Sequence, residues 1–499
     1  MISLRSLREF GNLTLLKIRD KFHKRGGDFL MKSFYITTTL PYVNAEPHIG
    51  FAMELVHADI IARWKQLNGF DVFFNTGTDE HGLKIYQAAL IENKTPQAYT
   101  DELAQKFKNL QLLLGLSDDL HFIRTTDEHH KKAAQEFWKL CKNAGDIYKK
   151  EYKIRYCVGC ELEKTDSGLA DGRCPIHPNK ELEMIEEENY FFRLSKYGPK
   201  LLEFYDKNPD FVIPDFRLNE MRALIGRGLE DFSISRLKSK MPWGIDVPGD
   251  SNHVQYVWFD ALVNYISTIG WPDDMDKFNK YWPVVQFAGK DQVRQQVVMW
   301  QAMLMSAGLL PSKQIVIHGF INYEGQKMSK SLGNVISPQE VIDEYGVDAL
   351  RYFVAREFNQ FEDMDISREK LRSAYNANLA NGLGNLVSRV MTMAEAHLKS
   401  PVTISEWEDT SEFFAILDKF EINKATNYIW AKIGELDALI QKEKPWESKD
   451  TKVITNLVAK LYSIARMLNP IMPETSNKIK ELVQANKKPS EPLFLRKDA

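Results

Sequence analysis

Apolar positions repeat along this chain with two different periods, and the places where the period changes divide it. Ser33–Leu40 (SFYITTTL) is dense in β-branched and aromatic residues and predicts a strand. A Pro-, Asn- and Tyr-containing loop follows. From Ile49 to Leu67, Met53, Val56, Ile60 and Trp64 recur at three- and four-residue intervals, which predicts a helix, and Asn68-Gly69 offers a left-handed stop. Phe70–Asn75 predicts the next strand. Strand, helix and strand in this order form a right-handed βαβ unit of a parallel sheet. Helical patterns then run through Asn143.

From about Ile147 to Gly244 the style changes to short strands, turns and clustered cysteines, as expected of an insertion between two halves of a sheet. The α/β pattern resumes with Val254–Ile266 and with predicted strands at Val284–Ala288 and Gln314–His318. Ser337-Pro338-Gln339-Glu340 is a capping box with proline at the first helical position, so a helix starts there. From about Leu371 to Lys480 every segment has helical period, which predicts a separate bundle. The expected division is 1–30 as an extension, 31–146 with 245–365 as the sheet domain, 147–244 as the insertion and 366–499 as the bundle.

Composition narrows the class. In 499 residues, 27% are charged, and no apolar run approaches the roughly 20 residues that cross a bilayer, so a membrane bundle is excluded. The 28 Phe, 19 Tyr and 10 Trp supply ample core and exclude disorder as the main state. A net charge of −3 is no polycation, so nucleic acid could be bound only through a local patch. Residues 1–30 are basic and partly amphipathic. Three readings compete: a transit peptide, a surface extension that touches a polyanion, and an upstream in-frame extension with Met31 as the natural start. The last is preferred, because Met31-Lys32-Ser33 leads directly into a strand.

The cysteines are too few for a disulfide framework. Cys157-x2-Cys160-x13-Cys174-x2-His177 instead has the spacing of a structural zinc knuckle, in which two close pairs fill all four corners of a tetrahedron. Cys141 stands on a helical pattern as a small core residue. Two further motifs point to phosphate. Pro47-His48-Ile49-Gly50-Phe51 opens the first helix, where free N–H groups and the helix dipole favour an anion. Lys327-Met328-Ser329-Lys330-Ser331 follows Glu324-Gly325-Gln326, and two lysines on a Gly-flanked loop can close on phosphates. Alone, each also reads as an ordinary cap or a solvated basic turn. Together they fall at the carboxyl ends of the first and last parallel strands, where α/β proteins bind ligands.

These motifs resemble those of the methionyl-tRNA synthetase family, within the class I aminoacyl-tRNA synthetases, from about Lys32 to the end of the chain. His48-Ile49-Gly50-Phe51 is similar to the HIGH signature and Lys327–Ser331 matches KMSKS in full. Thr78-Asp79-Glu80-His81-Gly82, Tyr256–Ala261 and Gly289-Lys290-Asp291 are further blocks in the family's order. The resemblance implies a Rossmann-like catalytic domain with a zinc-bearing connective insertion and an all-α anticodon-binding bundle. It implies ATP-dependent activation of L-methionine to methionyl-adenylate and pyrophosphate, then transfer to the 3′-terminal adenosine of tRNA(Met), including the initiator.

By the same resemblance His48, Lys327 and Lys330 are catalytic, with ATP held by His48, Gly50, Gly289, Asp291 and Lys330. Methionine is held by Leu40, Tyr42, Asp79, Trp258, Leu262, Tyr265 and Gln296. Zinc is held by Cys157, Cys160, Cys174 and His177, and Mg²⁺ accompanies ATP. Asn385, Arg389 and Trp446 match the anticodon readers. A cytoplasmic enzyme is expected. It is also expected to be a monomer, because the chain stops where the family's anticodon domain ends. The insertion is too short for a hydrolytic editing domain. Phe51 replaces the second His of HIGH, and Gln295-Gln296 stand where many members carry an aromatic residue and a His. Two rivals remain: a class I enzyme for cysteine or a branched aliphatic amino acid, and a non-catalytic RNA-binding relative.

Overall fold

Six parallel strands form the central sheet: Ser33–Thr37 (β1), Asp71–Thr78 (β2), Leu120–Arg124 (β3), Val212–Ile213 (β4), Val285–Gly289 (β5) and Gln314–His318 (β6). The computed structural model describes residues 32–44, 46–159, 162–164, 169–327, 336–404 and 410–497. The N-terminal extension, Cys160 and Lys330 lie outside them. The spatial order is β3-β2-β1-β5-β6-β4. Chain order therefore reverses between β1 and β5, and a crevice opens beyond their carboxyl ends, the usual ligand position in such sheets. Among the described residues no helix is long and apolar enough to cross a membrane.

Helix Ile49–Leu67 (α1) is buried nearly all round, not on one face as its spacing suggests. It lies between the sheet and helical segments that follow β6, so its polar residues must find partners inside. Glu54 bonds His318, His57 Nε2 donates to the Val354 carbonyl, and Asp59 bonds Arg63 and Arg351. Trp64, near its end, stacks on Phe414 at 4.3 Å. Ser337 caps the helix Pro338–Tyr345 by accepting from the Glu340 N–H, as its capping box predicts.

Two strands depart from the sequence reading. The helical patterns expected through Asn143 are interrupted by β3, a short edge strand whose charged and apolar residues carry little strand signal, and whose His121 stacks on Phe73. β4 comes from inside the 147–244 stretch yet pairs with β6 at the far edge of the main sheet. The rest of that stretch carries an antiparallel sheet of Ile147–Cys157, Leu162–Lys164, Glu183–Phe192 and Phe232–Ser233. Cys141 is fully buried in the helix Glu128–Asn143.

After β6 the chain forms a small sheet. Ile321–Tyr323 (β7) pairs antiparallel with Gln326–Lys327 (β8) and parallel with Met364–Ile366 (β9). Gly319 makes this possible: a Cβ there would lie 2.2 Å from the Glu362 carbonyl oxygen. Beyond β9 the chain is helical. Asn385–His397 (α2), Ile422–Glu443 (α3), Thr451–Leu468 (α4) and Pro473–Ala485 (α5) pack through Leu386, Val390, Ile433, Leu457, Leu461 and Ile479, and this core is continuous with that around α1.

Candidate active site

The chain leaving β1 is clipped to the end of β2. Asp79 N–H donates to the Pro41 carbonyl, and the Asp79 carbonyl accepts from Val43 N–H, which sets Tyr42 beside Asp79. α1 then begins at the crevice with His48 as its N-cap. Its Nδ1 accepts from the Gly50 N–H at 3.1 Å. An acceptor nitrogen carries no proton, so the ring hydrogen sits on Nε2 as a donor at the positive end of the helix. The Ile49 N–H donates to the Ile336 carbonyl, so the chain emerging from the lysine motif docks on the first turn of α1.

These loops enclose a cleft of about 870 Å³. Of the residues expected at the ATP and methionine sites, Leu40, Tyr42, His48, Gly50, Asp79, Trp258, Leu262, Tyr265, Gly289, Asp291 and Gln296 all line it. Asp79 is buried and Trp258 half-buried, while His48 and Asp291 are exposed at the rim. Phe51 also lines the cleft, with its ring packed edge-on to Phe107. Lys327 ends β8.

The cleft holds residues that sequence reasoning missed. His318, at the carboxyl end of β6, has its Nε2 2.7 Å from Glu54 Oε2 and its Nδ1 2.8 Å from the Gly319 carbonyl. Burial disfavours charge on this ring, but the bond to Glu54 and its negative charge outweigh burial and raise the His318 pKa. The other Glu54 oxygen accepts from Thr39 N–H and Oγ1. The usable signal was position: His318 closes a strand in a sheet whose strand ends hold ligands. Lys84 and Asn264 are further lining residues that the sequence reading did not name, and Gln295 lines the cleft beside Gln296. Behind Asp79, His81 Nδ1 lies 3.0 Å from Asp260 Oδ2, and burial pushes the Asp260 carboxyl up.

Near the cleft mouth, Cys157, Cys174 and His177 have ligand atoms all within 4.8 Å of one another. Both cysteines are fully buried, and Cys157 Sγ lies 3.8 Å from His177 Nδ1. A tetrahedral zinc with the usual bond lengths needs ligand edges of roughly 3.5–3.8 Å, so the donor set fits the metal. A side chain at Gly159 would strike the His177 ring, with Cβ 2.6 Å from its Cγ. In the bundle, Asn385 is exposed at the start of α2, and Arg389 pairs with Asp437 on α3. Trp446 is 43% exposed just beyond the end of α3. An indole that open is not a core anchor.

Comparison with known proteins agrees with this geometry. The family model "tRNA synthetases class I (M)" matches residues 34–182 and 165–391. The methionine–tRNA ligase of Thermotoga maritima is 43% identical over 92% of this chain and 76% of its own length. That of Rickettsia typhi is 40% identical over 90% of this chain and 92% of its own. The solved Mycobacterium tuberculosis methionyl-tRNA synthetase in complex with methionyl-adenylate superposes with a TM-score of 0.84, at 38% identity, over 91% of this chain and 94% of that one. A switch-point cleft, its surrounding loops and nearly the whole fold thus agree with one set of relatives: the chain belongs to the methionyl-tRNA synthetase family of class I aminoacyl-tRNA synthetases.

Proposed function

We propose that this cleft joins L-methionine to ATP and then passes the methionyl group to tRNA(Met), the initiator included. The observation that carries the reading is the convergence, at one switch point, of a phosphate-directed helix N-terminus, a buried carboxylate and an aromatic-lined pocket. In the first step a methionine carboxylate oxygen attacks the α-phosphorus. The bond to the bridging oxygen breaks and pyrophosphate leaves. Catalysis of such a step rests on positioning and on stabilising charge. His48 offers its Nε2–H to the phosphates, and the first turn of α1 adds its dipole. Lys327 and Lys330 are read as the cations that neutralise the developing charge. Gly289 and Asp291 are read as holding the ribose. Mg²⁺ would accompany ATP.

Asp79 supplies a buried carboxylate for the substrate ammonium. Leu40, Tyr42, Trp258, Leu262, Tyr265 and Gln296 surround an unbranched thioether, a soft side chain suited to aromatic walls. In the second step the terminal ribose hydroxyl of tRNA attacks the carbonyl carbon and AMP leaves. Asn385, Arg389 and Trp446 are read as meeting the anticodon, with Trp446 exposed for stacking on an unpaired base. Cys157, Cys174 and His177, with Cys160 as the fourth ligand, would hold one structural zinc. The enzyme is read as a cytoplasmic monomer whose product is consumed by translation.

ATP–pyrophosphate exchange across a panel of amino acids tests the reading. Methionine should support the fastest exchange. Faster exchange with leucine or cysteine would reassign the substrate. No exchange with any amino acid, with tRNA still bound, would favour a non-catalytic relative.

A further inference from the structure

The block Thr78–Gly82 holds more buried chemistry than Asp79 alone. Glu80, the next residue, has a side chain with no exposed surface. Its Oε1 accepts from Thr78 Oγ1 at 2.6 Å and from Arg124 Nε at 2.7 Å. Its Oε2 accepts from Arg124 Nη2 at 2.8 Å and from Thr126 Oγ1 at 2.5 Å. Its N–H donates to Thr125 Oγ1 at 2.9 Å. Arg124 closes β3, so the end of β2 is fastened to the end of its neighbour by a two-pronged ion pair. Four donors on two oxygens leave Glu80 nothing to offer a substrate, and Arg124 offsets a charge that burial would otherwise penalise.

The same turn is held from two other directions. Trp243, near the end of the 147–244 stretch, donates from Nε1 to the Glu80 carbonyl at 2.6 Å, and its own carbonyl accepts from Gly82 N–H at 3.3 Å. His81 meets Asp260 of the helix Val257–Leu262. The extended chain of β2 continues into Asp79, which bridges Tyr42 in parallel, and consecutive side chains of an extended chain point to opposite sides. Anchoring Glu80 on the β3 side therefore turns Asp79 toward the cleft that it lines. We propose that Glu80 and Arg124 are positioning residues that hold the Asp79 carboxylate in place for the ammonium group of the amino acid. The inference rests on the methionine reading above.

Neither Glu80 nor Arg124 lines the cleft, so their effect passes through Asp79. An acceptor fixed before its ligand arrives loses no freedom on binding, and the ammonium contact keeps its full strength. Loss of Arg124 leaves a buried carboxylate without its cation next to Asp79, and the turn must shift to hydrate it. Asp79 moves with that turn. The first turn of α1, which faces the phosphates, is anchored elsewhere, on the Ile336 carbonyl, and stays in place.

The test compares ligands that carry the ammonium group with one that lacks it, on the full chain. Pyrophosphate exchange gives KM for methionine and for ATP. Competition gives Ki for L-methioninol, which keeps the ammonium, and for 4-(methylthio)butanoate, which lacks it. Arg124→Met should raise the methionine KM and the methioninol Ki together by about 10-fold, with the ATP KM and the 4-(methylthio)butanoate Ki within about twofold of the parent. Arg124→Lys, which keeps the charge, should recover part of the loss. Glu80→Gln, close in shape, should raise the same two constants by about 3- to 10-fold, and decides the matter should Arg124→Met fold poorly. Equal losses for both inhibitors, or a methionine KM within about twofold of the parent in these variants, would overturn the proposal. Methioninol binding unmoved by Asp79→Asn would instead overturn the reading of Asp79. Absence of methionine exchange in the unaltered protein would overturn the methionine reading itself.

Discussion

Arg351 Nη2 lies 2.7 Å from Asp59 Oδ2, and neither side chain has any exposed surface. The same guanidinium donates to the carbonyls of Leu114, Pro470 and Ile471, so one cation ties α1 to the turn before α5. Burial disfavours charge on Asp59, but Arg63 and Arg351 hold its carboxyl below the usual range. Arg351→Met should strand these acceptors and lower stability by about 3–5 kcal/mol, read from urea unfolding. An unchanged midpoint would mean that the bundle docks without this pair.

His48 has two roles that substitution can separate. His48→Asn keeps an N-cap acceptor but removes the Nε2 donor. Thermal stability should stay close to that of the parent, while single-turnover adenylate formation falls about 10²–10³-fold. A rate within threefold of the parent would remove His48 from the chemistry.

The His318–Glu54 pair makes stability depend on pH with a defined sign. The folded-state pKa of His318 is raised above its unfolded value, near 6.5. The pair's contribution is therefore complete below about pH 6.5 and fades as pH rises through the raised pKa. Glu54→Gln should bring the ring's NMR titration down and flatten the stability profile across that window. A His318 titration unmoved by this change would contradict the assignment of the shift.

For the knuckle, elemental analysis of the purified protein should return about one zinc per chain. Cys157→Ser should abolish retention of the metal and lower the melting temperature. A metal-free protein of full stability would refute the site.

Trp446→Ala should impair charging of tRNA by at least tenfold and leave pyrophosphate exchange nearly unchanged, because the indole is exposed and far along the chain from the cleft. Equal losses in both assays would make Trp446 a structural residue.

What could be read in the chain follows from the range of the interaction responsible. The bounds of α1 and β6 were legible because local periodicity and caps determine them. β3 and β4 were not, since an edge strand of two to five residues is selected by its neighbour in the sheet. The cleft's lining was legible through family motifs that are short in sequence. The Glu54–His318 pair was not, because its members stand 264 residues apart and neither belongs to a motif.

The hairpin ending in Lys327 shares β7 with β9, and β9 runs into Arg368–Ala374, the first helix on the way to the bundle. Gly319 seats that sheet against Glu362 with no room for a side chain. Asp363 fastens it further, accepting from Phe320 N–H and from Lys290, which stands between Gly289 and Asp291 of the cleft. The helical half is therefore fastened to the base of the lysine hairpin. The two cannot part without unzipping Ile321 from Met364, Asn322 from Asp365 and Tyr323 from Ile366. The part of the molecule read as meeting RNA and the part read as meeting ATP are joined through one three-stranded sheet.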